Sequence, residues 1–283
     1  MKENFFKIFL LITLLFNIIL LFFGQKIVAA KISCCQDLQN IQNSFNQSFL
    51  LQNDIDCTGF NFTSIFSGSV GFSGSLDGKG YLIYNLSINS TNSPSNYGLF
   101  ASGSGAQVFD LSLVNVCVDS CAGVFNTGVL FGHCSNCNIS NVHILSNGTF
   151  TNSVLGTNNL GGFVGCGSAV NIMNSTIQNT FFGKGITGGF IGTGTNCNFI
   201  RCFNLGVDPS LLLANSTLYA GGITGFCTSC KISESGEIRL FLQFLNILMF
   251  FLRGASRQII LYRDSGMHSR LSHQLRFGPS VLS

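Results

Sequence analysis

A repeated unit of about 30 residues constrains this sequence more than any other feature. The stretch "LGGFVGCGSAVNIMNSTI" begins at Leu160, "TGGFIGTGTNCNFIRCF" at Thr187 and "AGGITGFCTSCKIS" at Ala220. A further copy, "TGVLFGHCSNCNISNVHI", begins at Thr127, and a weaker one, "YGLFASGSGAQVFDLSL", begins at Tyr97. Ordered copies of one unit indicate an architecture in which each unit buries its apolar face only against its neighbours.

The spacing inside the copies predicts strands. Aligned on the last glycine of the motif, the copies have anchors that lie 31, 33, 27 and 33 residues apart: Ala101, Gly132, Gly165, Gly192 and Gly225. Seven residues after each anchor lies an apolar residue: Val108, Ile139, Ile172, Phe199 and Ile232. The positions three and five residues further on are also apolar in the first two copies, and in the fourth they become Cys202 and Asn204. This pattern, with loops of variable length, predicts an all-β chain, a right-handed parallel β-solenoid (β-helix) of about five or six coils.

The glycines of the motif are interpreted as structural. They would allow sharp corners between sheet faces, by adopting positive φ and by letting neighbouring backbones approach closely. The apolar pairs between them would fill the core beside each corner: Leu130-Phe131, Phe163-Val164 and Phe190-Ile191. The strand–GxGxxG–helix pattern of nucleotide-binding proteins does not accompany them, so no nucleotide cofactor is expected.

These glycine-rich segments resemble a known family. "GGFVG", "GGFIG" and "GGITG" are similar to the GLUG-motif repeat of extracellular, adhesin-like proteins. The segment "FLLQNDIDCTGFNFTSIFSGSVGFSGSLDGKGYLIYNLSI" resembles the lead-in before such repeats, so the similarity covers roughly Phe49 to Ser233. The resemblance implies a β-helical surface protein, a class often without an assigned role. The first copy lacks the glycine pair, and the fifth has Thr224 where an apolar residue belongs.

The N-terminus has the form of a secretory signal peptide. Lys2 and Lys7 precede an apolar run from Ile8 to Phe23. Val28-Ala29-Ala30 has the small residues of a cleavage site. An uncleaved signal anchor is the alternative. We therefore expect a secreted or cell-surface protein; an intracellular scaffold would require that this segment is not a signal peptide.

Cysteines and sequons after this segment agree with export. All 12 cysteines follow it, as expected for a disulfide-bonded secreted chain. N-x-S/T sequons also follow it, which predicts a glycosylated surface. The candidate acceptors are Asn46, Asn61, Asn85, Asn89, Asn138, Asn147, Asn174 and Asn215.

Two C-x-x-C motifs raise the question of a metal site. Cys134 and Cys137 form one motif, and Cys227 and Cys230 form the other. They occupy equivalent positions three coils apart, about 14 Å at one strand spacing per coil, so one ion cannot bind both. We expect no metal site and no other cofactor.

The repeat geometry predicts disulfides instead. Cys197 and Cys230 occupy one position in adjacent coils, so their Cα atoms are expected about 5 Å apart, within disulfide range. We therefore predict a Cys197–Cys230 bridge. The other candidate bridges are Cys134 with Cys137, and Cys57 with either Cys35 or Cys34.

Composition narrows the possible functions. Only 9% of the residues are charged and the net charge is +3, which gives no reason to expect a nucleic-acid partner. No two of the aspartates Asp54, Asp56, Asp77, Asp110, Asp119 and Asp208 recur at one repeat position. Asp54 and Asp56 lie two residues apart and could share a strand face, and His133 and His143 lack a nearby nucleophile signature. We therefore expect no catalytic residues.

These observations favour a structural or adhesive module that binds a surface glycan or a protein. Its variable loops, residues 146–159 and 207–219, are the expected binding regions, because loops on a rigid scaffold usually carry binding. The alternative is a carbohydrate-active β-helix enzyme, a polysaccharide lyase or hydrolase that uses Asp54 and Asp56.

The composition changes at Glu234. Residues 33–233 contain one arginine, whereas the last fifty residues contain six. Ser235 and Glu237 fall where inward residues belong, so we predict that residues 234–283 are helical or irregular and do not continue the solenoid. The apolar run Leu240–Leu252 has 13 residues, short for a membrane span. A short membrane anchor, an amphipathic or unpacked tail and a reading-frame artefact are the alternatives for this region.

The predicted organisation therefore has four parts. Residues 1–30 form the signal helix, 31–96 the lead-in coils, 97–233 the GLUG-like solenoid and 234–283 the tail.

Overall fold

The computed structural model describes most of the chain between Ala29 and Ile238. The described residues are 29–66, 71–89, 95–119, 125–146, 152–155, 158–178, 180–182, 184–205 and 219–238, together with Thr13. The predicted signal peptide lies outside the described residues apart from Thr13, Ala29 and Ala30.

Short strands make up nearly all of the described structure. Six strands precede the first repeat: β1 (Ala30–Ile32), β2 (Ser48–Leu51), β3 (Ile55–Asp56), β4 (Ser75–Asp77), β5 (Leu82–Tyr84) and β6 (Ser87–Asn89). The first two repeats supply β7 (Asn96–Tyr97), β8 (Phe100–Ser104), β9 (Gln107–Val114), β10 (Cys117–Asp119), β11 (Asn126–Gly128), β12 (Phe131–Ser135), β13 (Asn138–Leu145) and β14 (Asn152–Leu155). The third supplies β15 (Asn159–Gly161), β16 (Val164–Ser168), β17 (Asn171–Met173), β18 (Thr176–Gln178) and β19 (Thr180–Phe182). The last two supply β20 (Ile186–Gly188), β21 (Ile191–Thr195), β22 (Asn198–Ile200), β23 (Phe203–Leu205), β24 (Ala220–Gly221), β25 (Thr224–Thr228), β26 (Lys231–Ser233) and β27 (Gly236–Ile238).

The strands stack into four parallel sheets. Sheet A follows the order β1-β2-β4-β9-β13-β17-β22-β26, with β3, β5, β18, β23 and β27 paired beside this path. Sheet B contains β6-β10-β14-β19, sheet C contains β8-β12-β16-β21-β25, and sheet D contains β7-β11-β15-β20-β24. Each repeat adds strands to successive sheets in turn, so the chain is a parallel β-solenoid with five repeat coils after the lead-in, which confirms the predicted fold class. β14 lies within one of the predicted variable loops, residues 146–159.

The predicted register of the core is confirmed. Val108, Ile139, Ile172, Phe199 and Ile232 are successive register partners in sheet A. The first four are fully buried, and Ile232 packs partly buried in the last coil. The apolar pairs between the glycines are also fully buried. β25, which begins at Thr224, pairs in parallel with β21, so the fifth coil forms despite this polar residue.

A short helix covers the N-terminal end of the core. The helix α1 (Cys35–Gln39) continues into a 3-10 helix (Asn40–Asn43). Leu38 and Ile41 are fully buried, so this segment closes apolar surface that the first coil would otherwise leave exposed. β1 pairs Ala30 with Phe49, and cleavage after Ala30 would leave Lys31 and Ile32 in this strand.

The anchor glycines allow two sheets to pack backbone against backbone. An ideal Cβ built on Gly165 would lie 2.5 Å from the Thr127 backbone nitrogen, and one built on Gly192 would lie 2.6 Å from the Leu160 nitrogen. The sheet D strand of the preceding coil therefore lies directly against the anchor of sheet C. The expectation of positive φ at these glycines is wrong, whereas the expected close approach of backbones is correct.

Positive φ occurs at two other columns of corner residues. Four and nine residues after the anchors, every coil turns through the left-handed region. The first column contains Gly105, Asn136, Ala169, Asn196 and Ser229, and the second contains Asp110, Asn141, Asn174, Arg201 and Glu234. Asparagine and aspartate tolerate this conformation better than most residues, which explains part of the asparagine content.

The solenoid continues past its predicted end. β27 pairs in parallel with β23, Phe203 with Gly236 and Leu205 with Ile238. The hydroxyl of Ser235 accepts a hydrogen bond from the Cys202 backbone nitrogen at 2.9 Å. A serine at this inward position is therefore compatible with the coil, and the prediction that residues from 234 onward leave the solenoid is wrong for residues 234–238.

Residues 239–283, including the apolar run 240–252, lie outside the described residues. Within the part of the chain that the structure describes, no helix has the length and apolar character needed to cross a membrane.

The anchor glycines generate a test of the packing between sheets C and D. We expect Gly165→Ala to lower the free energy of unfolding by about 1–3 kcal/mol, because the added methyl group overlaps backbone atoms that cannot rotate away. Urea unfolding of the secreted chain measures this change. Ser168→Ala, an exposed site on the same strand, is the matched control. An unchanged midpoint for Gly165→Ala would show that the two sheets do not depend on this contact.

Candidate functional site: a polar ribbon on sheets C and D

One outward column of sheet C collects chemically distinctive side chains. Register pairing places Ser102 beside His133, His133 beside Cys166, Cys166 beside Thr193 and Thr193 beside Phe226. All five lie one residue after their anchors and are partly exposed. Because parallel neighbours lie about 4.8 Å apart, the column presents one side chain per coil along one line.

A column of asparagine amides runs beside it on sheet D. The Asn126 side chain donates to the Asn96 carbonyl oxygen at 2.7 Å, and Asn159 donates to Asn126 at 2.7 Å. At one end Asn96 donates to the Ser102 hydroxyl at 3.0 Å, and at the other the Thr193 hydroxyl donates to Asn159 at 2.7 Å. The two columns are therefore joined by hydrogen bonds into one surface, which we call the polar ribbon: Asn96, Asn126, Asn159, Ser102, His133, Cys166, Thr193 and Phe226.

An aromatic pair forms the C-terminal end of the polar ribbon. Tyr219 is 54% exposed, and its ring centroid lies 5.7 Å from that of Phe226. Exposed apolar surface of this kind is commonly used for binding. The ribbon thus combines hydrogen-bonding groups with an apolar platform.

Burial keeps the ionisable members of the ribbon neutral near pH 7. It lowers the pKa of His133 and raises the pKa of Cys166, with the Cys197 thiolate as a second cause for Cys166. A thiolate–imidazolium pair, the reactive state of Cys–His nucleophiles, is disfavoured by both shifts. The fold does place Cys166 beside His133. This pair was not predicted from the sequence, because the two residues lie 33 positions apart. Their equal distance from the anchor glycine was the signal that could have revealed it.

The acidic residues proposed for the enzyme alternative make local structural contacts. Asp54 accepts a hydrogen bond from the Leu82 backbone nitrogen at 2.9 Å. Asp56 accepts from the Thr58 hydroxyl and backbone nitrogen, and these bonds lower its pKa. The structure thus engages both carboxylates as hydrogen-bond acceptors, and the lowered pKa of Asp56 disfavours this residue as a general acid.

His143 lies on sheet A and is also structural in its contacts. Its Nε2–H donates to the Asn141 side-chain oxygen at 3.1 Å, and its Nδ1 accepts from the Thr176 hydroxyl at 2.8 Å. Burial lowers the pKa of this histidine, in agreement with a neutral ring held between two coils.

The sequons occupy different environments. Asn46, Asn61, Asn138 and Asn174 are exposed. Asn85 is partly buried, and its amide donates to the Thr58 hydroxyl at 2.9 Å and to Asp56 at 3.2 Å. Asn147 and Asn215 lie outside the described residues, as does the side chain of Asn89.

Three disulfides fasten the solenoid among the residues that the structure describes. Cys35 bonds to Cys57 with a Cα separation of 5.6 Å, and Cys134 bonds to Cys137, both among the expected pairs. The remaining bridge joins Cys227 to Cys230.

The predicted Cys197–Cys230 bridge is therefore wrong. Cys230 has a partner only three residues away, across the corner that Ser229 forms, and Cys197 is a buried free thiol. The repeat position of a cysteine does not by itself determine whether its disulfide partner lies in the same coil or in the next one.

No family model matches the chain. It is 36% identical over 139 residues to halomucin from Haloquadratum walsbyi, a match that covers 46% of this chain and 1% of halomucin. A solved structure from Bacteroides ovatus, provisionally assigned as an immunoglobulin A1 protease, matches with a TM-score of 0.40 and 17% identity over 74% of this chain and 77% of that one. At these values the structural likeness supports no inference about activity.

The sequon environments predict two different responses to substitution. We expect Asn138→Gln and Asn174→Gln each to increase the gel mobility of the secreted chain through loss of one glycan. We expect Asn85→Gln to leave mobility unchanged but to lower the free energy of unfolding by about 0.5–1.5 kcal/mol, because the amide of Asn85 no longer donates its hydrogen bonds to Thr58 and Asp56. A mobility shift for Asn85→Gln with unchanged stability would contradict this assignment.

The burial of His133 predicts a pH dependence. Its pKa is lowered in the folded state, so the unfolded state binds more protons as the pH falls below the ordinary histidine pKa of about 6.5. The folded state is therefore expected to lose stability as the pH falls from about 6.5 toward the lower folded-state pKa. Urea midpoints at several pH values should show a smaller acid shift in His133→Gln than in the unsubstituted chain, and an NMR titration placing the His133 pKa at or above 6.5 would contradict the argument.

Proposed function

We propose that this chain is a secreted or cell-surface glycosylated β-helix protein that acts as a structural or adhesive module rather than as an enzyme. We propose further that the polar ribbon binds a neutral, linear glycan. The observation that carries the proposal is the hydrogen-bonded chain from Thr193 through the three asparagines to Ser102, which fixes a repetitive uncharged surface along the solenoid.

The chemistry of the ribbon fits a sugar polymer. Amides and hydroxyls pair with the hydroxyl groups of sugars, and the C–H faces of sugar rings pack against aromatic rings such as Phe226 and Tyr219. The three asparagines, Ser102 and Thr193 are pre-ordered by their hydrogen bonds to one another, so these side chains lose little entropy when a ligand binds. The low charge of the chain favours a neutral partner over an acidic one.

Export is supported by chemistry outside the ribbon. Disulfides such as Cys35–Cys57 persist in oxidising compartments, and eight sequons follow the predicted signal peptide. The local similarity to halomucin is compatible with a surface location, although it involves only a small part of that protein.

The test is binding of the full secreted chain to an array of neutral glycans. We expect binding to linear glycans, weakened at least tenfold in Kd by Phe226→Ala, because this substitution removes the apolar platform. Phe45→Ala is the matched control, since Phe45 is 45% exposed near the N-terminal end of the solenoid and outside the ribbon. The absence of glycan binding, or equal Kd values for the two variants, would contradict the proposed site.

The same glycans distinguish the enzyme alternative. Release of new reducing ends or unsaturated products by the native chain, lost in the Asp54→Ala/Asp56→Ala double variant with the fold intact, would favour a polysaccharide lyase or hydrolase instead.

A further inference from the structure

Three sulfur atoms meet at the C-terminal end of the core. An ideal Cβ built on Gly194 would lie 2.7 Å from Cys227 Sγ, 3.3 Å from Cys197 Sγ and 3.5 Å from Cys230 Sγ. Two of these sulfurs form a disulfide, and the third is the buried free thiol of Cys197. The sulfurs occupy this space because Gly194 carries no side chain.

The backbone places Cys197 and Cys230 in adjacent coils at one repeat position. The residues that follow them, Asn198 and Lys231, are register partners, and the Lys231 backbone nitrogen donates to the Cys197 carbonyl oxygen at 2.9 Å. Adjacent parallel strands are separated by about 4.8 Å, a spacing within the range that a disulfide spans. The backbone spacing of the two coils is therefore compatible with a bond from Cys197 to Cys230, formed by rotation of the two side chains.

We propose that Cys197, Cys227 and Cys230 form an intramolecular thiol–disulfide exchange centre. Cys197 loses its proton to solvent, and its thiolate attacks Cys230 Sγ. The Cys197–Cys230 bond forms as the Cys227–Cys230 bond breaks, the electron pair leaves on Cys227 Sγ, and Cys227 takes up a proton. One disulfide and one thiol exist before and after, so no oxidant or reductant is consumed.

The exchange changes what the bridge does. The Cys227–Cys230 bond closes a corner within the last coil, whereas a Cys197–Cys230 bond fastens the last coil to the preceding one. The free thiol moves at the same time from Cys197, which is 1% exposed, to Cys227, which is partly exposed. The exchange therefore both secures the terminal coil and brings a thiol toward the surface.

Cys202 is the natural comparison within the same coil. It is a fully buried free thiol whose Sγ donates to the Ile172 carbonyl oxygen at 3.2 Å, and burial raises its pKa to about 12. The equivalent position in neighbouring coils is Ser175 or Ser235, so no disulfide lies at its own position. Cys202 thus has burial in common with Cys197 but lacks the adjacent bridge.

The test follows the position of the free thiol in the full secreted chain, purified without reductant. Samples are incubated at pH 7, 8 and 9, quenched with acid, denatured, labelled with N-ethylmaleimide at low pH and mapped by mass spectrometry without reduction. We expect label to move from Cys197 to Cys227 while a Cys197–Cys230 peptide forms. The rate should rise about tenfold per pH unit below the thiol pKa, because the thiolate is the attacking species.

Two substitutions copied from neighbouring coils serve as controls. Cys197→Val uses the residue found at Val170, the equivalent position, and should abolish labelling of Cys227. Cys202→Ser uses the residue found at Ser175 and should exchange as the native chain does. Burial raises the pKa of Cys197. Cys166 is a titratable neighbour, and the Cys197 thiolate raises its pKa further. The exchange rates of the native chain at each pH are therefore compared with those of both variants.

Three results would overturn the proposal. The first is label that stays on Cys197 in the native chain after prolonged incubation at pH 9. The second is labelling of Cys227 that persists undiminished in Cys197→Val. The third is a Cys197–Cys227 peptide with label on Cys230, which would show that the other sulfur is attacked.

Discussion

Parallel hydrogen bonding between coils determines the rest of this structure. Each coil is held to the next in register, so a side chain meets its own repeat equivalents above and below. This stacking creates the apolar core from residues such as Val108 and Ile139, and the same stacking creates the outward polar ribbon. A single coil could form neither surface, because neither is continuous along the chain.

The register also explains why some residues must be small. The sheet D backbone packs against the anchor glycines, so Gly165 and Gly192 have no room for a side chain. Glycine plays the same part beside disulfides, because Gly103 leaves space for Cys134 and Gly194 leaves space for Cys227. Glycine in one coil thus accommodates a larger group in the next.

Much of the fold was predictable from the sequence, because apolar residues at constant offsets report burial directly. The Val108 to Ile232 column and the local Cys134–Cys137 bridge follow from such spacing. Other features depend on contacts between coils that spacing does not specify. Ser235 stands at an inward position, and this polar residue led to the prediction that the solenoid ends there. Its hydroxyl in fact accepts a hydrogen bond from a backbone N–H of the preceding coil. Predicting the neighbours of His133 and the column of amides would have required the register between coils. The asparagines that precede each motif were a visible sign of the amide column.

The amide column has a direction. In each bond that crosses between coils, from Thr193 to Asn96, the donor belongs to the C-terminal coil and the acceptor to the N-terminal coil, and Asn96 then donates to Ser102 within its own coil. Rotating Asn126 alone by half a turn would set two N–H groups against each other at one contact and two oxygens at the other. The asparagines must therefore reverse together or not at all. A group that binds at one end of the column and favours one orientation will impose that orientation on amides two coils away, without any movement of the backbone.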